Sequence, residues 1–263
     1  MRRLAAPVAI AAAILVPAVA APGAGAGTNA RLLPDLVTMR ISHDDLVLEA
    51  GKLRLSNEIA NRGRGPLEIY PSASSNNCDG DGNPSNDRDV SQRIFLDSNG
   101  DGVFQRSQDT ESEHHRFGCE QYHPIHHHWH VLDFSRYSLV REKTGHTVAR
   151  STKVGFCIID TDHRFGGLPG SPAPEYYPAG SGDCSAGSID GLSVGWADEY
   201  YYGLPGQQLD ITGLKGGRYC LVSKGDPDNL LRESNNSNNV RRTRIALHPA
   251  KHTVKRLSGR CTG

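Results

Sequence analysis

The stretch "LVLEAGKLRLSNEIANRG", residues 46–63, decides the fold class. Leucines recur at every second position, Leu46 and Leu48 and then Leu53 and Leu55, on either side of Ala50-Gly51. Period two marks a half-buried strand, because successive side chains leave a strand on opposite faces. The same grammar returns in "PLEIY" (66–70), "RIFLD" (93–97), "HHHWHVLDFSRYSLV" (126–140), "KVGFCIID" (153–160), "RYCLVSK" (218–224) and "RRTRIALH" (241–248). No amphipathic helical stretch competes with it, and 29 Gly and 15 Pro break the runs. The pattern predicts an all-β chain, a β-sandwich with long disulfide-tied loops. Residues 71–92 and 160–192, poor in apolar side chains and rich in turn formers, are expected as loops.

The chain opens "MRRLAAPVAIAAAILVPAVAAPGAGAG". Two arginines, an apolar run over 4–16 and the small residues Ala18-Val19-Ala20 read as a secretory signal peptide over 1–20. Residues 21–34 then form an Ala/Gly-rich lead-in, and 35–263 one domain. Lys+Arg and Asp+Glu number 29 each; loss of Arg2 and Arg3 leaves 27 against 29, a charge of −2. No basic face stands out, so nucleic acid is not an expected partner. The apolar run is shorter than the about 20 residues a spanning helix needs, and nothing later is long enough. A secreted, soluble chain is expected. Six cysteines in such a chain suggest disulfides with 15 full pairings open, and the lack of a CxxC pair argues against a cysteine zinc site.

Five of the 12 histidines fall within "HPIHHHWH", residues 123–130. If 126–133 is a strand, His126, His128 and His130 share one face and His127 and Trp129 take the other. The outer two Cα atoms are then about 13 Å apart, so the rings must lean inward over His128. Three imidazoles in line suit copper or zinc, and apolar neighbours set the cluster apart from a solvated polar run.

Four stretches carry a resemblance to the lysyl oxidase family. "HPIHHHWHVLDFSRYSL" (123–139) resembles its copper motif, with His126, His128 and His130 as ligands and His123 at a leading histidine usually not counted as one. "VARSTKVGFCIID" (148–160) puts Lys153 on the lysine that becomes half of a lysine tyrosylquinone, and "GLSVGWADEYYYGLPGQQLDIT" (191–212) puts Tyr200 on the tyrosine half. "LPDLV" (33–37) with "DPDNLLRESNNSNNV" (226–240) resembles a structural calcium site using Asp35, the Leu36 carbonyl, Glu233, Asn238 and Asn239. The resemblance spans Pro34 to Leu247. It departs at Ile125 and Trp196, where animal members carry cysteine, and at Arg136, where they often carry histidine.

The resemblance implies a β fold and copper-dependent oxidation of a primary amine, peptidyl lysine or a small amine, by O2. The products are an aldehyde, ammonia and hydrogen peroxide. Asp133 is a candidate base, although alternation puts it on the face opposite His130 unless the chain bends there. Separately, "DSNGDGVFQRSQ" (97–108) follows the D-x-N-x-D-G calcium-loop pattern through Asp97, Asn99 and Asp101, with Gln108 where a glutamate would chelate. Asp79, Asp81 and Asn83 form a similar acidic turn. The alternative reading is a catalytically inactive copper- and calcium-binding β-sandwich of the cell-surface adhesion type, since sandwich architecture does not decide function.

Overall fold

A computed structural model of the chain describes residues 29–151, 155–178, 184–185 and 187–261. Lys153 and the expected signal peptide lie outside the described residues.

The strand pairs are antiparallel throughout. A 6-stranded sheet runs in the order Asp190–Leu192, Leu67–Pro71, Asp87–Asp97, Ser112–His123, His128–Val131, with Ala30–Leu32 also on Asp87–Asp97. A 5-stranded sheet orders Thr147–Arg150, Ser135–Arg141, Gly217–Gly225, Val240–His248 and Thr253–Arg256. Two 3-stranded sheets complete the fold: Ala197–Tyr200, Asn57–Asn61, Leu36–Thr38 and Gln208–Asp210, Lys52–Leu55, Leu46–Glu49. Among the described residues the one helical turn is the 3-10 segment Pro249–Lys251. The all-β expectation therefore holds.

The opening leucine pattern acts as expected. Leu46 faces Leu55 and Leu48 faces Leu53 across a hairpin, and all four are buried. Gly51 closes that hairpin at φ 72, where a Cβ would also come within 2.8 Å of the Thr212 hydroxyl. One core joins side chains from all four sheets, among them Leu36, Leu53, Val131, Tyr137 and Leu221. Full burial of each such side chain contributes about 1.5–3 kcal/mol.

Three expectations need correction. The loop expected over 160–192 ends in the strand Asp190–Leu192, paired with Leu67–Ile69. Residues 87–92, expected in a loop, begin the 11-residue strand Asp87–Asp97. Three of its four buried positions there are filled by Asp87, Arg88 and Gln92, with only Val90 apolar, so apolar periodicity is lost although the strand is real. The strand drawn over 126–133 also begins later, at His128. Residues 124–127 form a hairpin connection, and His127 takes the left-handed φ of 59.

Candidate metal centre and tyrosine site

The hairpin of Ser112–His123 and His128–Val131 builds the histidine face. Pro124 has no N–H to continue the ladder. The amides of His126 and His127 instead donate back to the His123 carbonyl at 3.2 and 2.9 Å, turning the chain in four residues. The register sets His123 opposite His128 and Gln121 opposite His130. Directly opposed residues share a face, so His123, His128 and His130 stand together and the turn folds His126 onto them. The other face is anchored at Trp129. Arg88 lies 4.1 Å from its ring and pairs with the buried Glu120 at 2.5 Å, and the Trp129 amide donates to the Cys184 carbonyl at 2.7 Å.

The Nε2 atoms of His128 and His130 are 2.9 Å apart, and His126 Nδ1 is 3.5 Å from His130 Nε2. Metal–nitrogen bonds of about 2.0 Å at 90–110° separate ligand nitrogens by about 2.8–3.3 Å. The His128–His130 pair has ligand spacing, His126 lies just beyond it, and the three histidines whose donor atoms all fall within 4.8 Å of one another are His123, His126 and His130, without His128. A tight turn, and not an extended strand, brings His126 back over the face that carries His128 and His130. His123 joins them: it stacks on His126 at 4.1 Å, and His123, His126 and His130 offer donor atoms all within 4.8 Å of one another. The sequence reading left His123 out of the ligand set; its hairpin register with His128 brings it in reach.

Tyr200 ends the strand Ala197–Tyr200, and its ring meets Phe156 edge-on at 4.2 Å. Its hydroxyl donates to the Cys157 carbonyl. Burial, then the Asp198 carboxylate, raises the phenol pKa well above its ordinary value. The segment carrying Phe156 and Cys157 links tyrosine and histidines. Phe156 and Val131 exchange backbone hydrogen bonds of 3.0 and 2.8 Å, and a Cβ on Gly155 would lie 3.2 Å from that of His130. The Cys157–Cys184 disulfide ties the same segment to the residue that holds Trp129. Lys153, two residues before Gly155, lies outside the described residues.

Asp133 takes a left-handed φ of 55, so the chain does bend after the histidine strand. It lines a cleft of about 510 Å³ with Asp79, Asp89, Arg116, Leu132 and the Cys78–Cys119 disulfide. Arg136 lies 3.5 Å from Asp133 but binds Asp228 more closely, at 2.8 Å.

The residues expected to hold calcium also converge. Glu233 accepts the Leu36 amide at 2.6 Å and the Asn239 amide nitrogen at 2.6 Å, and Asn238 donates to Asp35 at 2.8 Å. With their NH2 groups bonded to carboxylates, the Oδ1 atoms of Asn238 and Asn239 are buried without a partner. Burial pushes the Glu233 carboxyl up to about 7. Orphaned oxygens beside a strained acid fit a hard cation with oxygen ligands. The second loop is differently furnished. Asp97, wholly buried, accepts the amides of Gly100 and Gly102 at 2.8 Å each, Asn99 accepts that of Asp101, and Asp101 that of Val103. The acid closing this loop is Asp109, one residue beyond Gln108, which accepts the amides of Ser98 and Gln105. The fixed twelve-residue pattern missed it.

The sequence profile of the lysyl oxidase family matches residues 44–257. The chain belongs to the lysyl oxidase family. Among characterised lysyl oxidases it is similar to the protein-lysine 6-oxidases of Sus scrofa, 36% identical over 126 residues, and Homo sapiens, 35% identical over 126 residues. It is also similar to human lysyl oxidase homolog 1, 34% identical over 126 residues. Each match covers 48% of this chain and, in that order, 46, 27 and 20% of the relative, so the chain spans less than half of the proteins it matches. Trp196 is buried, donates to the Pro172 carbonyl at 3.0 Å and stacks on His163. The cysteines pair as Cys78–Cys119, Cys157–Cys184 and Cys220–Cys261.

Proposed function

We propose that the chain is a secreted copper amine oxidase, its activity carried by the domain 35–263. Copper on His126, His128 and His130, with a lysine tyrosylquinone made from Lys153 and Tyr200, would supply the redox chemistry by which a primary amine, O2 and water give an aldehyde, ammonia and hydrogen peroxide.

The chain's own residues prepare that site. The His123–His128 register puts the imidazoles on one face, which supports this ligand set. The Val131–Phe156 hydrogen bonds keep the segment after Lys153 beside the histidine strand. Gly155 lets the two backbones close without a side chain between them. The Cys157 carbonyl orients the Tyr200 hydroxyl, and the edge-on Phe156 ring limits its rotation. Asp133 at the cleft wall is the proposed proton acceptor for the carbon bearing the amine. Asp79, Asp89 and Asp133 against one Arg116 give the cleft an acidic lining that suits a cationic amine, peptidyl lysine or a small amine. Calcium at Asp35, Leu36, Glu233, Asn238 and Asn239, and at Asp97, Asn99 and Asp101, would brace the frame. Export is supported by three disulfides, which persist in oxidising compartments, and no helix among the described residues is long and apolar enough to cross a membrane.

The observation that carries this reading is the pairing of Val131, next to His130, with Phe156, next to the carbonyl that holds Tyr200. The test is a peptide map by mass spectrometry of protein incubated with copper and air. A covalent Lys153–Tyr200 pair is expected. Two intact linear peptides from protein that still binds copper would replace the oxidase with a metal-binding β-sandwich module.

A further inference from the structure

The face that carries the histidines continues onto a loop that gives Asp79 to the proposed cleft and holds other polar groups the proposed oxidase does not use. In the row across three strands, Asp87 pairs with Gln121 and Gln121 with His130, so Asp87 stands two strand spacings, about 10 Å, from the histidine strand. Residues 76–86 fold over that position. The Asn76 amide donates to the Asp87 carbonyl at 3.0 Å, and the Asp79 amide donates to Asp87 Oδ2 at 2.9 Å. Gln121 Nε2 reaches from the face to Asp79 Oδ2 at 2.5 Å.

Asp87 is 0% exposed, and its Oδ1 has no hydrogen-bond partner. Its carboxylate lies within 4.8 Å of the sulfurs of Cys78 and Cys119, which are joined in a disulfide and have no proton to share. Arg88, its neighbour, pairs through Nε with Glu120 and lies over the Trp129 ring, and its buried Nη2 has no partner. An isolated buried carboxylate oxygen is costly unless a cation or donor meets it. Two amide oxygens of the loop folded over it share its condition. Asn76 donates its NH2 to Asp89 at 2.7 Å and Asn86 donates its NH2 to Asp81 at 3.1 Å, which fixes both amide orientations. The Oδ1 atoms of Asn76 and Asn86 are left buried without a partner. The same signature, an asparagine nitrogen bonded to a carboxylate and its oxygen orphaned, occurs twice at Asp35 and Glu233.

We propose a further divalent-cation site, of calcium type, with Asp87 as its charged ligand and Asn76 and Asn86 as amide-oxygen ligands. Oxygen donors without nitrogen or thiolate select calcium over copper or zinc, and backbone carbonyls or water complete the shell. The ion pins the loop that supplies Cys78 and Asp79 to the cleft wall, so it shapes the cleft without touching the histidines.

The experiment is a calcium titration by calorimetry of the full chain stripped with a chelator, comparing wild type with Asp87→Asn. Asparagine keeps an oxygen for the Asp79 amide but removes the charge. The bound-calcium stoichiometry is expected to fall by one in Asp87→Asn while copper content is unchanged. An unchanged stoichiometry in a folded variant overturns the site and leaves a buried water as the partner of these oxygens. If Asp87→Asn does not fold, the anomalous scattering of wild-type crystals soaked in calcium decides: a peak beside Asp87 and Asn76 supports the site, and its absence overturns it. Calcium counting does not depend on amine oxidation, so failure here and failure of the oxidase reading are separately visible.

Discussion

His123 and His128 stand directly opposite one another across a four-residue hairpin connection, and this register, more than the run of histidines itself, assembles the histidine face. The pairing leaves His128 Nε2 2.9 Å from His130 Nε2 and stacks His123 on His126.

Changing His128 to alanine removes one of the two closest nitrogens. The variant should keep its strand signature by circular dichroism and lose stoichiometric copper by elemental analysis. Tight copper at wild-type stoichiometry would show that the ion sits elsewhere.

His123 contributes either as an added ligand or by holding the His126 ring. His123→Ala should therefore weaken copper by about 10–100-fold without abolishing it, the range typical for groups that orient ligands. Competition with a chelator of known affinity measures the shift, and unchanged affinity would remove His123 from the centre.

Tyr200→Phe deletes the hydroxyl bonded to the Cys157 carbonyl but keeps the ring against Phe156. Stability should fall by about 1 kcal/mol, copper should remain, and quinone absorbance and amine oxidation should vanish. Lys153→Ala should give the same spectroscopic loss. Amine oxidation persisting in either variant rules out that residue as a cofactor half.

Glu233 predicts a pH dependence with a definite sign. Its carboxyl is raised from 4.5 to about 7 in the fold, chiefly by burial, so the folded chain holds a proton that the unfolded chain has released. This group's contribution is fully present below about 4.5 and is lost as pH rises through about 7. With chelator present, the melting temperature should fall across that window more in wild type than in Glu233→Gln. Calcium should bind more tightly as pH rises through 7 and should restore wild type. Matching pH profiles of the two proteins with chelator would contradict the raised carboxyl.

The Cys157–Cys184 bridge closes a loop with a sequence separation of 27. Its loss should cost about 3–4 kcal/mol on loop-closure grounds. Cys184 also holds the Trp129 amide, so the double alanine variant should lose copper affinity as well as stability. A stable variant with intact copper binding would separate the bridge from the metal face.

Much of this was legible before any coordinates. Leu46, Leu48, Leu53 and Leu55 announce a hairpin because strand alternation maps directly onto burial. His126, His128 and His130 stood out as candidate ligands because imidazoles at such spacing amid apolar neighbours suit a metal. Asp87 and Gln92 conceal their strand, since polar side chains occupy its inward positions. Asp109 escaped notice because a fixed spacing does not anticipate an extra residue in a loop. The cysteine pairs were open among 15 combinations because sequence separation says nothing of which Cα atoms approach to disulfide range.

The sequence by itself determined the all-β class, the lysyl oxidase kinship and the identity of the histidines. These depend on residue type and local period, which are properties of the chain read in order. The convergence of His123 on His126 and His128, the Val131–Phe156 hydrogen bonds and the orphaned oxygens around Asp87 were decided only in three dimensions. Each depends on strand register and burial, and those are fixed when distant segments pack, through contacts no local pattern encodes.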